Sequence, residues 1–406
     1  MHLTKQIQIK KSDPRYGVLD GVCFKSKNLY NVGMYRVKKH YEENKEYLNY
    51  HSLYKILAEE DQVDYRALPQ NVAAQTLMSL DRVWKSYFLA LRTYKKNPKK
   101  FSGKPREPKF LHKTDGRFVA TYTQRAIQKK PFKKEIIQLT GLDCQFNSFG
   151  FQKEDIQQIR IVPKDGFYNV EIVYKVECDE PIVSDNHCGI DLGLNNLATL
   201  GFNNPDIKPL IVNGKGIKST NQYYNKKRAK IVSKLNLDKK RSSKALKRLT
   251  KKRNNKVKND LHKASREIVD YLKKNNISTV VIGHNKGWKD EINIGKRNNQ
   301  NFVGVPHSQL IDYIKYKCIL VGITTITREE SYTSKCSFLD GEKIRKKKSY
   351  KGKRIKRGLF KSANGTLYNA DLNGALNILR KESPSSFDEG VEDLVVDPVK
   401  INLAFS

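Results

Sequence analysis

The sequence is poor in acidic residues relative to basic ones, and it lacks paired cysteines and long apolar runs. Its 406 residues include 42 Asp and Glu against 78 Lys and Arg, a formal net charge of +36 at pH 7. The six cysteines are scattered and no CxxC pair occurs, which excludes a recognisable disulfide framework or zinc ribbon. The amino end lacks the apolar run of a signal peptide and no window approaches a membrane span, so we expect an intracellular protein with no membrane partner.

The excess of positive charge indicates the class of partner. A compact chain with this charge repels itself unless a polyanion neutralises it. A soluble surface alone needs a net charge of only about 2–8, so the composition predicts a nucleic-acid-binding protein. The 21 Tyr and 16 Phe also offer rings on which bases can stack.

The first half of the chain has the pattern of a β-rich module interrupted by helices. Residues 1–20 and 105–180 contain short apolar and alternating runs that predict strands. Between them, residues 21–104 predict a helical domain, most clearly where apolar residues recur at helical spacing: Val72, Leu77, Leu80, Trp84, Phe88 and Leu91. The stretch Asp179-Glu180-Pro181 indicates a boundary before the second half.

In the second half, residues 181–382, predicted strands alternate with helices. Asp191 lies at the end of a short apolar segment. A glycine follows, and a second apolar segment comes directly after it, which is the pattern of a β-hairpin. Lysine-rich helices are predicted over residues 215–275, and a dense basic segment covers 335–365. From 383 to 406 we expect a loosely structured tail.

Three acidic points stand out in this half: Asp191, the adjacent Glu329 and Glu330, and Asp371. Strands alternating with helices bring strand ends to one edge of a sheet, where such acids converge. Carboxylates grouped in this way hold Mg²⁺, and two ions about 4 Å apart align a water with the leaving oxygen of a phosphodiester. Acids at strand ends are also common turn residues. Spacing alone therefore leaves both interpretations open.

Three short motifs mark the same region: Gly189-Ile190-Asp191-Leu192-Gly193, Tyr332-Thr333-Ser334-Lys335 and Asn369-Ala370-Asp371-Leu372-Asn373-Gly374-Ala375-Leu376-Asn377-Ile378. Together they resemble the RuvC-like nuclease half of TnpB proteins, the transposon-encoded, RNA-guided nucleases related to type V CRISPR effectors. The resemblance implies an α/β plus β fold with a split β-barrel wedge domain (1–20 and 105–180) and an inserted helical recognition domain (21–104). An RNase H-like (RuvC) α/β domain (181–382) follows, carrying an inserted basic helical hairpin (215–275).

The same resemblance implies partners, cofactors and location. The partners are a guide RNA and double-stranded target DNA, and the cofactors are two Mg²⁺ ions. The location is the cytoplasm of a prokaryote, in association with the nucleoid.

The sequence departs from the family pattern in two places. Family members usually carry a glutamate at the end of the strand that here reads Thr279-Val280-Val281-Ile282-Gly283, and this chain has Gly283 followed by His284. Many also carry a four-cysteine zinc ribbon after the Thr-Ser motif, where this chain keeps only Cys336 and the basic segment 335–365, so we expect no zinc. The second carboxylate is either lost or supplied from elsewhere. The expected replacement is Glu330, or else Glu329, which gives Asp191, Glu330 and Asp371 as the predicted metal ligands.

The predicted function is an RNA-guided, Mg²⁺-dependent DNA endonuclease of a transposon, in which base pairing reads the target sequence. The missing glutamate leaves open a nuclease-inactive, RNA-guided DNA-binding protein that acts as a repressor would. A strand-transferring transposase is a third alternative, supported only by the family's earlier description. Basic residues predicted to contact the nucleic-acid backbone are Lys226, Lys227, Arg228, Lys239, Lys240, Arg241, Arg354 and Arg357.

Overall fold

The chain divides after Val176 into two structural units, Met1–Val176 and Glu177–Ser406. The structure, a computed structural model, describes residues 1–285, 304–387 and 392–403. Each unit contains its own sheet and its own apolar core. Among the helices of the described residues, none has the length and apolar character needed to cross a membrane.

The first unit combines an antiparallel sheet with long helices that lie between its first and second strands in the chain. Its elements are β1 (His2–Lys10), α1 (Tyr16–Asn44), α2 (Tyr50–Glu59), α3 (Val63–Arg66), α4 (Gln70–Lys96), β2 (Ala120–Thr123), α5 (Lys129–Phe132), β3 (Ile136–Gln138), β4 (Gln145–Asn147), β5 (Ile156–Lys164) and β6 (Phe167–Lys175). Short 3₁₀ turns cover Pro98–Lys100 and Gln124–Ala126. The apolar face of α4 packs with α1 and the sheet, which buries Leu77 and Trp84 in one core with Ile159 and Val170.

The predicted β-barrel of this unit does not close. The sheet has the order β1-β6-β5-β2, with β1 and β2 at opposite edges, and β3 pairs with β4 in a separate two-stranded sheet. A closed barrel requires every strand to be paired on both sides. The strands β2, β3 and β4 have only four, three and three residues, so each spans roughly 10–14 Å. Strands this short do not close the sheet, and the helices cover one face instead.

The second unit is built around a six-stranded sheet. Its elements are β7 (His187–Leu192), β8 (Asn196–Phe202), β9 (Leu210–Asn213), α6 (Lys215–Leu237), α7 (Lys244–Lys274), β10 (Thr279–Gly283), α8 (His307–Leu320), β11 (Thr324–Arg328), β12 (Lys353–Lys356), β13 (Leu359–Lys361), β14 (Leu367–Asn369), α9 (Ala370–Glu382) and β15 (Val399–Ile401). Short 3₁₀ turns cover Pro384–Phe387 and Glu392–Val395. The strands β12, β13 and β14 form a small antiparallel sheet of their own.

The direction of the strands brings three strand ends to one edge. The order of the large sheet is β11-β10-β7-β8-β9-β15, in which β7, β8 and β9 are antiparallel and β10 and β11 run parallel to β7. The carboxyl ends of β7, β10 and β11 therefore meet at the same edge. Apolar residues of α7 and α8 share one core with Ile190 and Ile282. On the other face, Leu372 and Leu376 of α9 pack with Val281.

The carboxyl-terminal segment is more ordered than the predicted loose tail. Val399–Ile401 form β15, which pairs parallel with β9 at the edge of the sheet. Leu403 follows and is buried in the core of the unit. This strand follows Pro398 and has only three residues. That is too few to show an alternation of apolar and polar residues, so the sequence pattern did not predict it. Residues 388–391 and 404–406 of the tail lie outside the described residues.

Candidate metal-binding site

The register of three parallel strands aligns Asp191, Gly283 and Arg328. Asp191 lies near the carboxyl end of β7, directly after Ile190, which is paired with Ile282 of β10. Gly283 ends β10 and is paired with Arg328 of β11. Glu330 lies two residues beyond Arg328. Strand pairing thus brings Asp191, Gly283 and Glu330 to one edge of the sheet, although they are far apart in sequence.

The carboxylate of Glu330 lies over Gly283. A Cβ atom added to Gly283 would stand 2.7 Å from Oε2 of Glu330 and 2.5 Å from Cδ1 of Ile378. The backbone of Glu330 is held on both sides, because its N–H donates to Oδ1 of Asn285 (3.0 Å) and its carbonyl accepts from Oγ1 of Thr333 (2.7 Å). The space that a side chain at position 283 needs is therefore filled by a carboxylate from the next strand.

Asp371 reaches the same edge from the first turn of α9. The side chain of Asn369 caps this helix by accepting from the N–H groups of Asp371 and Leu372. Oδ2 of Asp371 accepts from Nδ2 of Asn196 (2.8 Å), which holds one face of the carboxylate. Three residues later, a Cβ atom on Gly374 would lie 2.8 Å from Oδ2 of Asp191, so glycine here lets Asp191 pack against the helix.

Asp191 lies near enough to Glu330 and Asp371 for their charges to affect its pKa. Burial raises the pKa of Asp191 well above its usual range, and the negative charges of Glu330 and Asp371 raise it further. Burial likewise raises the pKa of Glu330 to about 7, with a smaller contribution from Glu329. Oε2 of Glu330 is buried and has no hydrogen-bond partner within the described part of the chain. For Asp191 and Glu330, burial outweighs the nearby positive charges of Arg354 and Lys381, so their ionised forms are disfavoured.

Glu329 is not part of this group. Its side chain is exposed, and Nζ of Lys381 donates both to its Oε2 (2.7 Å) and to its backbone carbonyl (2.8 Å). The hydrogen bond from Lys381 lowers the pKa of Glu329, the opposite direction from Glu330. Of the two adjacent glutamates in the sequence prediction, the structure brings only Glu330 to the aspartates.

The donor set suits a hard divalent cation, although the three carboxylates do not form a closed cage. Across residues 1–285, 304–387 and 392–403, no three His, Cys, Asp or Glu side chains stand close enough to hold an ion as they are. Oδ1 of Asp371 accepts from Nη2 of Arg354 (2.8 Å). Carboxylate oxygens are the ligands that Mg²⁺ prefers, and a cation would satisfy the unpartnered oxygen of Glu330. The chemistry of these oxygen donors therefore suits such an ion, although their present arrangement does not enclose one.

Two buried asparagines of α9, which the site prediction did not include, fasten the turn after Glu330. Nδ2 of Asn373 donates to the carbonyls of Thr333 (3.3 Å) and Cys336 (3.0 Å), and Nδ2 of Asn377 donates to the same two carbonyls (2.8 Å each). Oδ1 of Asn373 accepts from the N–H of Phe338 and the hydroxyl of Tyr368. The spacing of four residues between the asparagines was the available signal, because it places both on one helical face.

The basic residues predicted to contact nucleic acid are exposed, and one of them, Arg354, also contacts an acid of the candidate site. Lys226, Lys227 and Arg228 lie on α6 and Lys239, Lys240 and Arg241 lie in the turn after it; all six are exposed, as is Arg357. Lys240 is 3.7 Å from Asp238 in an exposed ion pair. Arg354 lies on β12 and contacts Asp371 directly, so it belongs to the site itself.

Two protein-family models match the chain, mostly within the second unit. The OrfB_IS605 family, described as "Probable transposase", matches residues 171–289. The "Cas12f1-like, TNB domain" family matches residues 307–378. No curated protein matches the chain.

Solved structures are similar over most of the chain. "Cryo-EM structure of the Cas12f1-sgRNA-target DNA complex" aligns with a TM-score of 0.54 at 17% identity, covering 92% of this chain and 82% of that one. "Structure of the mini-RNA-guided endonuclease CRISPR-Cas_phi3" has a TM-score of 0.47 at 11% identity, covering 94% and 92%. The first of these shows that the protein has a Cas12f-like fold of mixed α/β content. The two family matches confirm the resemblance to TnpB proteins predicted from the motifs around Asp191 and Asp371.

Proposed function

We propose that the protein is an RNA-guided DNA endonuclease whose active site consists of Asp191, Glu330 and Asp371. The observation that carries this proposal is the carboxylate of Glu330 over Gly283, with a buried oxygen that has no partner among the described residues. The acid that relatives carry on β10 is thus supplied from the segment after β11. A site that had lost its function would have no reason to keep three mutually repelling acids at one sheet edge.

The proposed architecture follows the strand order. Antiparallel β7, β8 and β9 beside parallel β10 and β11 support an RNase H-like (RuvC) domain over residues 181–382, with α6 and α7 as its inserted basic hairpin. We assign residues 1–20 and 105–180 to a wedge domain and 21–104 to a recognition domain. The open sheet of the first unit supports a wedge that is only part of a barrel.

Mg²⁺ is the proposed cofactor, held by Asp191, Glu330 and Asp371. When bound, it supplies Lewis-acid activation of water and stabilises the leaving oxygen of a phosphodiester. Neighbouring side chains would position each of these proposed ligands. Asn196 orients Asp371, Gly374 leaves room for Asp191, and Asn373 and Asn377 hold the turn that carries Glu330. Such supporting contacts commonly change metal affinity or activity by about 10–100-fold.

A guide RNA and double-stranded DNA are the proposed partners. The net charge of +36 favours binding to a polyanion, and exposed basic clusters on α6 and after it offer phosphate contacts. The description of the Cas12f1 structure names a guide RNA and target DNA for that protein, which supports the same pair here. Base pairing would then read the target sequence. We propose the prokaryotic cytoplasm, near the nucleoid, as the location, where such a protein would reach its DNA.

The proposal is tested by cleavage of a matched plasmid. The protein is expressed from its native locus, the co-purified RNA is sequenced, and its guide part is replaced by a chosen sequence. A plasmid library with that target and random flanking bases is then offered with Mg²⁺ or with EDTA. We expect cut plasmid only with the matched guide and Mg²⁺. Guide-dependent binding without any Mg²⁺-dependent product would contradict the nuclease.

A second candidate function is an RNA-guided DNA-binding protein that does not cut. The ion pair between Arg354 and Asp371 favours it, because it occupies an oxygen that a metal ion needs. The pair is partly exposed and is worth only about 0–1 kcal/mol, so a metal ion that is offered two or three carboxylates competes with it easily. The plasmid experiment separates the two functions directly.

A further inference from the structure

The segment between β11 and β12 has no regular secondary structure, so other interactions must hold its conformation. Residues 329–352 form no helix or strand, although they lie within the match to the TNB domain. The resemblance to TnpB proteins implies a zinc ribbon in this place. A segment of this length without regular backbone pairing pays a large conformational entropy unless specific interactions fix it.

The donor atoms of the segment do not fit a zinc ion. A structural zinc site takes four ligands, mostly Cys and His. Residues 329–361 contain Cys336 and no histidine. Sγ of Cys336 is directed at two carbonyl oxygens, of Lys343 (3.6 Å) and Arg345 (3.8 Å), and so behaves as a thiol donor. Over the described residues there is also no other cluster of ligands to complete a site.

The buried carboxylate of Glu342 forms the hydrogen bonds that connect this segment. The side chain of Glu342 is 1% exposed, yet it belongs to a segment of turns. Its Oε2 accepts from the N–H of Ser337 (2.9 Å), and its Oε1 accepts from Nζ of Lys347 (2.9 Å) and the N–H of Lys351 (3.2 Å). One carboxylate thus joins three points of the chain before it and after it.

Two further contacts attach this centre to α9. Arg380 donates from Nη2 to the carbonyl of Glu342 (2.9 Å) and from Nη1 to the carbonyl of Phe338 (3.0 Å). Burial alone would raise the pKa of Glu342, but the donors from Ser337, Lys347 and Lys351 outweigh it and hold the pKa below its usual value. The carboxylate is therefore ionised, and both of its oxygens are engaged in hydrogen bonds with the segment.

We infer that the Glu342 carboxylate, through Ser337, Lys347 and Lys351, organises residues 336–351 in the role that zinc has in relatives. The segment leads directly into β12, which carries Arg354. Its fold then depends on a buried ion pair and not on a metal. The inference does not rest on the proposed function, since it concerns how the segment folds.

Hydrogen exchange of the full chain tests this inference. Peptides covering residues 333–351 are compared with a sheet peptide covering 187–202 in the wild type and in Glu342→Gln, and zinc is measured by elemental analysis. We expect far less than one zinc per chain, no change with a zinc-selective chelator, and exchange in 333–351 faster by about tenfold or more in Glu342→Gln. Glu267→Gln, an exposed carboxylate on α7, is the control and should change neither peptide.

A second variant keeps the test decisive if Glu342→Gln fails to fold. Lys347→Met removes the ion-pair partner but leaves both backbone donors, and we expect faster exchange confined to 333–351. Stoichiometric zinc whose removal releases the segment would overturn the inference. So would unchanged exchange of 333–351 in both variants. Because no cleavage is measured, a protein that does not cut DNA passes or fails this test independently.

Discussion

Oε2 of Glu330 lies 2.7 Å from where a Cβ atom of Gly283 would stand, so the carboxylate occupies the space that a side chain at position 283 would need. A side chain at position 283 would have to displace the carboxylate of Glu330 from its present place. Under the proposed function, the glycine on β10 leaves room for an acid supplied from the segment after β11.

This pairing predicts the outcome of restoring the acid on β10. Gly283→Glu alone should destabilise the protein by about 1–3 kcal/mol through overpacking against Glu330 and Ile378. Glu330→Ala alone should abolish cleavage. The double variant Gly283→Glu/Glu330→Ala should be more stable than Gly283→Glu and cleave at least about tenfold faster than Glu330→Ala, as measured by unfolding midpoints and plasmid cleavage rates.

The control for the steric part is Gly17→Ala in α1, where an added Cβ meets no atom within 4 Å. This change should be neutral or slightly stabilising, by about 0.5–1 kcal/mol. If the destabilisation of Gly283→Glu persists undiminished when Glu330 is removed, the two positions do not compete for space.

The raised pKa of Glu330 predicts a pH-dependent gain in stability on removing its charge. Burial raises this pKa from 4.5 to about 7, so the folded chain holds the proton more tightly than the unfolded chain does. Ionisation thus destabilises the fold progressively between about pH 4.5 and 7, and by a constant amount above. In EDTA, Glu330→Gln should raise the free energy of unfolding by about 2–3 kcal/mol at pH 8 and leave it nearly unchanged at pH 4.

Glu329→Gln provides the matched control in chemical denaturation at the two pH values. The hydrogen bond from Lys381 lowers the pKa of Glu329, so neutralising this exposed side chain should weaken the protein slightly at pH 8. An equal effect of Glu330→Gln at pH 4 and pH 8 would show that burial of its charge does not govern the site.

The asparagine pair of α9 predicts a loss of both stability and cleavage. Asn377→Ala leaves the carbonyls of Thr333 and Cys336 with one donor fewer in a buried setting, at a cost of about 2–3 kcal/mol. Because the turn carrying Glu330 loosens, the cleavage rate should fall while the affinity for target DNA stays within about twofold. Asn236→Ala on the exposed face of α6 should change neither quantity. A fall in DNA affinity with an unchanged rate would contradict a positioning role.

The basic cluster of α6 predicts a change in the salt dependence of nucleic-acid binding. Replacing Lys226, Lys227 and Arg228 with alanine removes up to three phosphate contacts, so the slope of log affinity against log salt should become less negative by about 2–3. Fluorescence anisotropy with guide RNA between low and moderate salt measures it. The charge-preserving pair Lys226→Arg/Lys227→Arg should keep the wild-type slope, and a slope unchanged by the alanine variant would assign the cluster to a solvated surface.

Local motifs pointed to Asp191 and Asp371 of the candidate site, but they did not indicate how a third acid reaches them. Asp191 and Asp371 stand in short motifs that their own neighbours explain, a hairpin and a capped helix start. The choice between Glu329 and Glu330 depends on the parallel register of β10 and β11, which pairs Gly283 with Arg328 across residues distant in sequence. No local signal specifies that register, so the sequence prediction left the choice open.

In the fold, too, features set by local sequence were predictable, and features set by distant partners were not. Helical spacing predicted the long helices, because their apolar faces repeat over many turns. The region predicted as a split β-barrel contains an open sheet instead, because closure depends on the lengths of β2, β3 and β4, which sequence patterns resolve poorly. The edge strand β15 and the buried carboxylate of Glu342 depend on partners elsewhere in the chain, and neither produces a periodic pattern.

The central claim, that Glu330 completes the site, is tested most directly by single-turnover cleavage of matched DNA by guide-loaded protein in Mg²⁺. Wild type is compared with Glu330→Gln and Glu329→Gln, which remove the same charge from adjacent residues. We predict that Glu330→Gln slows cleavage by at least about 100-fold, while Glu329→Gln stays within about threefold of the wild type. Cleavage by Glu330→Gln at the wild-type rate would contradict the account.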